Sequence, residues 1–319
     1  MPKLTPDDSL SCSQLASVMG HSKWSTPNDT LKFCITAIDG DDPRTEAGEA
    51  ADWGNLLEST IISEMAARLK LERFKFPEHA YPHPEIKLAA SLDAIGYPEY
   101  DDDKYIIKHN PAAGIYVVDG DEIELDGPGV LESKLTRGFP EDSIPLYRGP
   151  IQVQGCMMCA ELNWAAVGTL YNGIELRIFL FKPHKATQEA IWNTVEDFQR
   201  RLDRYRMTGD IEWYEPANSK DADRVWSEAN DDAIDLGEDY EATAAAITEL
   251  KMQKKTIDEQ IAHHETALKK AMQEFASASA GRYKISWPMR HYKAQPEKIT
   301  PAKEAYSIRQ STLTIKESK

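Results

Sequence analysis

The stretch Gly129-Val130-Leu131-Glu132-Ser133-Lys134-Leu135 decides how the rest of the chain is read. It opens with apolar residues, follows the turn-forming Asp126-Gly127-Pro128, and carries two opposite charges in its second half. Side chains alternate along a strand, so Val130, Glu132 and Lys134 share one face while Leu131, Ser133 and Leu135 share the other. Glu132 and Lys134 therefore point the same way. A carboxylate and an amine on an otherwise apolar strand cost free energy unless they are paired or have chemistry to perform. An edge-strand ion pair is the plain explanation of Glu-x-Lys, and the tripeptide alone does not decide between the two.

Upstream, Ala89-Ala90-Ser91-Leu92-Asp93-Ala94 runs through small residues to an acid at what reads as the end of a strand. An aspartate there and a glutamate on the next strand can meet across the ladder and form a hard, oxygen-rich site suited to magnesium or manganese. A neighbouring lysine would hold the attacking water or stabilise charge on phosphorus. Competing acids stand between Asp93 and Glu132, namely Asp101, Asp102, Asp103, Asp119, Asp121 and Asp126. Asp126 is nearest in sequence but belongs to the turn, so Asp93 is preferred.

Further outward the periodicity becomes helical. Residues 11–20, 29–38 and 45–71 read as helices, the last with Trp53, Leu57, Ile61, Met65 and Leu69 about four apart. Residues 115–118 read as a strand, 150–162 as a helix, and 164–171 and 175–181 as a hairpin around Asn172-Gly173. Residues 185–207 form an amphipathic helix through Ile191, Val195, Phe198, Leu202 and Tyr205. The pattern predicts an α/β fold, a mixed central sheet flanked by helices, over residues 1–215. Residues 216–238 read as an acidic linker, and 239–319 as a helical extension with short strands at 282–287 and 312–316. In the extension Ile247, Leu250, Ile257, Ile261, Leu268, Met272 and Phe275 make a seam close to heptad spacing, interrupted by Lys254 and His264. Another helix of the same chain or a sister subunit would cover it.

A formal net charge of −16 speaks against a protein that coats nucleic acid, since phosphate neutralisation needs clustered lysine and arginine. The charge is uneven, acidic over 210–241 and richer in Lys and Arg over 251–303, and bound divalent ions can offset carboxylates locally. No apolar run suits a membrane span or a secretory signal, so a cytoplasmic location is expected. Cys12, Cys34, Cys156 and Cys159 are too few for a disulfide framework. Cys156 and Cys159 have metal-like spacing, but an iron–sulfur cluster needs four thiolates, and two small apolar residues on a helix is the better account. Neither a Gly-rich phosphate loop nor a zinc pattern of histidines is evident.

Asp93 followed by Glu132-Ser133-Lys134 resembles the signature of the PD-(D/E)XK nucleases, whose core is restriction-endonuclease-like. Three further segments resemble the YqaJ and lambda-exonuclease branch: Ser11-Cys12-Ser13 to Gly20-His21-Ser22-Lys23-Trp24, Trp53-Gly54-Asn55-Leu56-Leu57-Glu58, and Tyr147 with Gln152-Val153-Gln154. The resemblance spans roughly residues 10–207. It implies Asp93, Glu132, the Ser133 main-chain carbonyl and Glu58 as metal ligands, Lys134 as the residue that orients or activates water, and Gln154 near the metals. It also implies contacts to DNA or its terminal phosphate from Ser11, Ser13, Arg137, Tyr147 and Gln152. Simple helix capping competes for the two serines. An arginine precedes the first helix in the lambda-type relative, where this chain offers Lys3, which leaves a preference for a 5′-phosphate open. The implied activity is a 5′-to-3′ exonuclease on linear duplex DNA, with two magnesium or manganese ions, a ring-shaped homotrimer and a single-strand annealing protein as partner. An endonuclease or opposite-polarity nuclease on the same fold, or an inactive DNA-binding or assembly relative, are the alternatives.

Overall fold

The structure is a computed structural model and describes residues 5–44, 48–99, 105–229 and 232–290. The expected strand at 312–316, Lys3 and Asp101–Asp103 lie outside the described residues. The chain divides into two compact units, Met1–Val225 and Trp226–Lys319.

The first unit opens with β1 (Leu10–Ser11), a single 3-10 turn at Cys12–Gln14, and α1 (Leu15–Val18), α2 (Pro27–Ile38) and α3 (Glu49–Arg68). Next come β2 (Arg73–Lys75), β3 (Tyr81–Pro82), β4 (Leu88–Ala90), β5 (Ala94–Tyr97), β6 (Ile106–Lys108), β7 (Ile115–Val117) and β8 (Glu122–Glu124). β9 (Gly129–Thr136) is followed by α4 (Pro150–Ala160), β10 (Ala165–Tyr171), β11 (Glu175–Phe181), α5 (Lys185–Thr208) and α6 (Ser219–Val225).

The main sheet has six strands in the order β2-β5-β9-β10-β11-β7. β9 pairs antiparallel with β5 and parallel with β10, so the sheet is mixed, as the pattern predicts. A parallel neighbour cannot be reached by a tight turn, and α4 supplies the crossover. Burial on both faces explains why β10 is nearly continuously apolar and why β9 opens on the apolar run Gly129-Val130-Leu131. Val130 and Val167 join a core with Ile151, Val153, Ile191 and Phe198 of α4 and α5, whereas Leu131 and Ala166 join one with Ile62 and Met65 of α3. Close approach of α3 is possible because Gly168 has no side chain: a Cβ there would lie 2.2 Å from the Met65 sulfur. The hairpin turn forms as predicted, with Asn172 and Gly173 both at positive φ, 51° and 69°.

Three expectations need correction. The helix expected over 11–20 is a 3-10 turn and a four-residue helix, because Ser11 is already paired with Ala89 in the small sheet β1-β4-β3. In α3 the predicted stripe is buried only from Ile61 onward, and Trp53 is exposed. Within the expected acidic linker, Ser219–Val225 is helical, since the Asp221 carboxylate accepts hydrogen bonds from Asn28 and Thr26 and is buried.

The second unit contains α7 (Glu241–Met272), a single 32-residue helix, and the antiparallel hairpin of β12 (Ser277–Ala280) and β13 (Tyr283–Ser286). Met272 is the buried residue at the end of α7, and the Lys269 ammonium lies 5.8 Å from the centre of the Trp287 ring.

Candidate active site

β5 and β9 pair through Ala94↔Leu131, Ile95↔Val130 and Gly96↔Gly129. Continued by one residue, this register brings Asp93 opposite Glu132. Asp93 therefore stands at the start of β5, not at the end of the strand before it. One of its oxygens, Oδ2, accepts hydrogen bonds from the Ser133 amide at 2.8 Å and the Ser133 hydroxyl at 3.1 Å. Asp126 is exposed in the turn before β9, and the strand register places Asp93, not Asp126, opposite Glu132.

Glu132 and Lys134 share a face, as alternation requires, and that face looks toward α4. The Lys134 ammonium donates to Glu132 Oε1 at 2.6 Å and to Gln152 Oε1 at 3.0 Å, while Gln152 Nε2 donates to the same Glu132 oxygen at 2.8 Å. Gln154, expected beside the metals, is elsewhere. Two residues of α-helix turn the side chain by about 200°, so Gln152 and Gln154 cannot both face β9. Gln154 is buried, donating to the Lys182 carbonyl and accepting from the His184 amide, each at 2.8 Å, and so fastens the end of β11 to the start of α5. The sequence did contain the signal to choose: Gln152 sits two residues from the Pro150 that starts α4, on the turn nearest the C-terminal half of β9.

Glu58 approaches from the opposite face of the sheet. It lies one turn before Ile62 on the stripe that α3 packs against the sheet through Ile62 and Met65. Its pKa is raised, first by burial and then by the charge on Asp93, with Lys134 working in the opposite direction.

Glu132 is 2% exposed, and burial followed by repulsion from Asp93 pushes its carboxyl up to about 7, against the lowering pull of Lys134 and Gln152. Burial alone would lower the Lys134 ammonium, but the Glu132 and Asp93 carboxylates outweigh it and the pKa is raised. The second oxygen, Glu132 Oε2, is buried and has no hydrogen-bond partner. An acceptor stranded in this way beside a second carboxylate is costly alone and fits a cation. Among the described residues no three His, Cys, Asp or Glu side chains converge as a ready-made cage. The carboxylates brought together here are thus those of Asp93 and Glu132, with Glu58 electrostatically coupled to Asp93.

The residues expected at DNA divide. Ser11 is buried, and its hydroxyl donates to Gln14 at 2.9 Å while lying 3.1 Å from the exposed Ser13 hydroxyl. Its capping box thus takes up Ser11 Oγ, the outcome the capping alternative describes. Arg137 is exposed just beyond β9. Tyr147 lies in the turn before α4, edge-on to Trp24 with ring centroids 5.0 Å apart, with the Lys23 ammonium 4.8 Å and the Arg148 guanidinium 5.6 Å from its ring centre. Arg148 is also ion-paired with Glu141. Lys23, Trp24 and Arg148 carry no motif of their own, and their one signal in the sequence is the adjacency of aromatic and basic residues in both segments.

All four cysteines are buried and free, with Cys12 and Cys159 sulfurs 3.7 Å apart, which accords with small core residues. No helix among the described residues is long and apolar enough to cross a membrane.

No family model and no curated protein matches the sequence. Among solved structures the chain is similar to LHK-Exo in complex with dAMP, at 15% identity over 64% of this chain and 95% of that one, with a TM-score of 0.46. A second structure, of the alkaline exonuclease LHK-Exo from Laribacter hongkongensis, is similar at 17% identity over 62% and 90%, with a TM-score of 0.44. A phage related exonuclease from Haemophilus somnus 129PT is similar at 12% identity over 63% and 96%, with a TM-score of 0.38.

Proposed function

We propose that this chain is a metal-dependent deoxyribonuclease that degrades linear duplex DNA from its ends. The observation that carries the proposal is the meeting of Asp93, Glu132 and Lys134 at the C-terminal half of β9, with Glu132 Oε2 buried and unpartnered. Asp93 and Glu132 would hold magnesium or manganese, with the Ser133 carbonyl and Glu58 completing the set. The ions would supply Lewis acidity toward a phosphoryl oxygen and offset the carboxylate charge.

The remaining work belongs to the chain itself. Lys134, kept protonated by its two acidic neighbours, presents an ammonium that can orient the attacking water and stabilise charge developing on the phosphoryl oxygens. Water forms the new P–O bond and gives up a proton to solvent, the bond to the leaving oxygen breaks, and that oxygen takes up a proton from solvent. Gln152 holds Glu132 and Lys134 in one geometry, which makes it a positioning residue. Arg137, Tyr147 and the exposed Ser13 are proposed as DNA contacts.

The finer reading rests on the YqaJ and lambda-exonuclease resemblance: two metal ions, 5′-to-3′ polarity, release of 3′ single strands for recombination, a ring-shaped homotrimer and an annealing protein as partner. Linear duplex labelled at one end or the other, and closed circular duplex, incubated with magnesium and with EDTA, test it. Loss of the 5′ label first, with circles intact and EDTA abolishing the reaction, is expected. Cut circles indicate an endonuclease, loss of the 3′ label first reverses the polarity, and intact DNA in every arm leaves a binding protein.

A further inference from the structure

The apolar seam of α7 is exposed along most of its length. Leu250, Ile257, Ile261 and Leu268 are 61%, 53%, 52% and 42% exposed, whereas the equivalent stripe of α5, Ile191, Val195, Phe198 and Leu202, is buried in its own unit. A 32-residue helix with one uncovered apolar stripe needs a partner for stability in water. Heptad positions fix what that partner must offer. With Ile247, Lys254, Ile261 and Leu268 at a, the d positions are Leu250, Ile257, His264 and Ala271, and the flanking e positions include Lys251, Asp258 and Glu265.

We propose that α7 pairs with α7 of a second copy of this chain as an antiparallel two-stranded coiled coil. Parallel pairing would stack Lys254 on Lys254 and His264 on His264 inside the seam, and the g-to-e contacts, Gln253 to Asp258 and Gln260 to Glu265, would form no ion pair. Antiparallel pairing centred between Ile257 and Ile261 sets Ile257 against Ile261, Leu250 against Leu268 and Ile247 against Ala271 of the other copy. Each of these six apolar residues then meets an apolar residue. Lys254 faces His264, whose imidazole can accept a hydrogen bond from the ammonium. On the flank, Lys251 faces Glu265 twice across the twofold axis, where Glu265 also pairs with Lys269 of its own helix at 3.2 Å. The Asp258 pair meets at the axis, an opposing contact confined to the exposed rim. Two flanking attractions and the removal of a lysine pair from the seam favour the antiparallel arrangement.

Two full-length variants test this, Leu250→Cys and Leu268→Cys, each altering an exposed position, in a chain whose own cysteines are buried. In the antiparallel register residue 250 of one copy abuts 268 of the other, while two copies of residue 250 are about 27 Å apart. Mixed variants should therefore form a disulfide-linked dimer on mild oxidation, and neither variant should do so alone. Self-linking of Leu250→Cys would establish the parallel pairing and overturn the proposal, and absence of any link in the mixture would overturn it as well. Light scattering on the unmodified chain should give a mass of at least two copies. Ile257→Glu with Ile261→Glu should raise the dissociation constant of the pair about a hundredfold or more. An unchanged constant, or a single-copy mass for the unmodified chain, would refute pairing through this seam.

Discussion

In β9 the charges that interrupt an apolar pattern, buried Glu132 and half-buried Lys134, pair at 2.6 Å, whereas in α7 the interruptions at Lys254 and His264 lie at the surface among exposed apolar residues. The two regions differ in what encloses them. β9 is flanked by β5 and β10 and covered by α3 and α4, so its charges are desolvated and their pKa values move. The side chains of α7 remain in water over most of its length. On the two proposals made above, charge within an apolar repeat serves chemistry where the element is enclosed and pairing specificity where it is not.

The sharpest way to break the contrast is to remove the β9 charges. Lys134→Ala and Glu132→Ala are each expected to lower the rate of magnesium-dependent cleavage by about a thousandfold or more, with circular dichroism unchanged. Glu132→Ala should also weaken magnesium binding measured by calorimetry, and Lys134→Ala should not. Full activity in either pure variant would sink the assignment of the site.

A second effect concerns stability without metal. Glu132 has its carboxyl raised from 4.5 to about 7 in the folded chain. Between those values the folded protein holds a proton that the unfolded chain releases, so the contribution of this group to stability is fully present below pH 4.5 and is lost as pH rises through 7. The loss is at most about 3 kcal/mol. Urea unfolding with EDTA at pH 5 and pH 7.5 should show that decline in the unmodified chain and much less of it in Glu132→Gln. An equal decline in both would assign the proton to another group.

The central sheet was legible because β10 and β11 carry apolar runs separated by Asn172-Gly173, because β9 alternates regularly, and because α5 has a clean stripe. Edges were less legible: β1 and β3 have two residues each and are defined by pairing with β4, which no local pattern encodes. Within the site, Glu132 and Lys134 could be placed on one face by alternation, and Asp93 opposite them by pairing. The choice between Gln152 and Gln154 failed because resemblance names a motif while helix phase decides which member faces the strand. Ser11 was ambiguous for a related reason, since a hydroxyl at a helix start serves a phosphate or the chain's own groups, and here it donates to the Gln14 side chain.

That helix phase gives a smaller test. Gln152→Ala should lower the cleavage rate about tenfold to a hundredfold with little change in stability, because it frees Lys134 and Glu132 to move without opening the core. Gln154→Ala should do the reverse, leaving the Lys182 carbonyl and His184 amide without their buried partner at a cost of about 1–3 kcal/mol, with the rate of the residual folded protein nearly unchanged. A kinetic defect in Gln154→Ala at full stability would return it to the site.

The smallest expected effect on hydrolysis comes from removing the second unit. Asp93, Glu132, Lys134, Gln152 and Glu58 all lie in Met1–Val225, and the last turn of that unit is anchored by Asp221 to Thr26, Asn28 and the Ala217 amide. A chain ending at Val225 keeps that anchor, whereas one ending before Ser219 would strip buried Asn28 of a hydrogen-bond partner and is expected to be less stable. The Val225 chain should unfold cooperatively and cut high concentrations of duplex in magnesium at a rate within a fewfold of the full chain. Its mass in solution should no longer include any association made through α7. If instead it is folded but inert, residues after Val225 contribute to the reaction, and the separation between an enclosed catalytic strand and an exposed pairing helix does not hold.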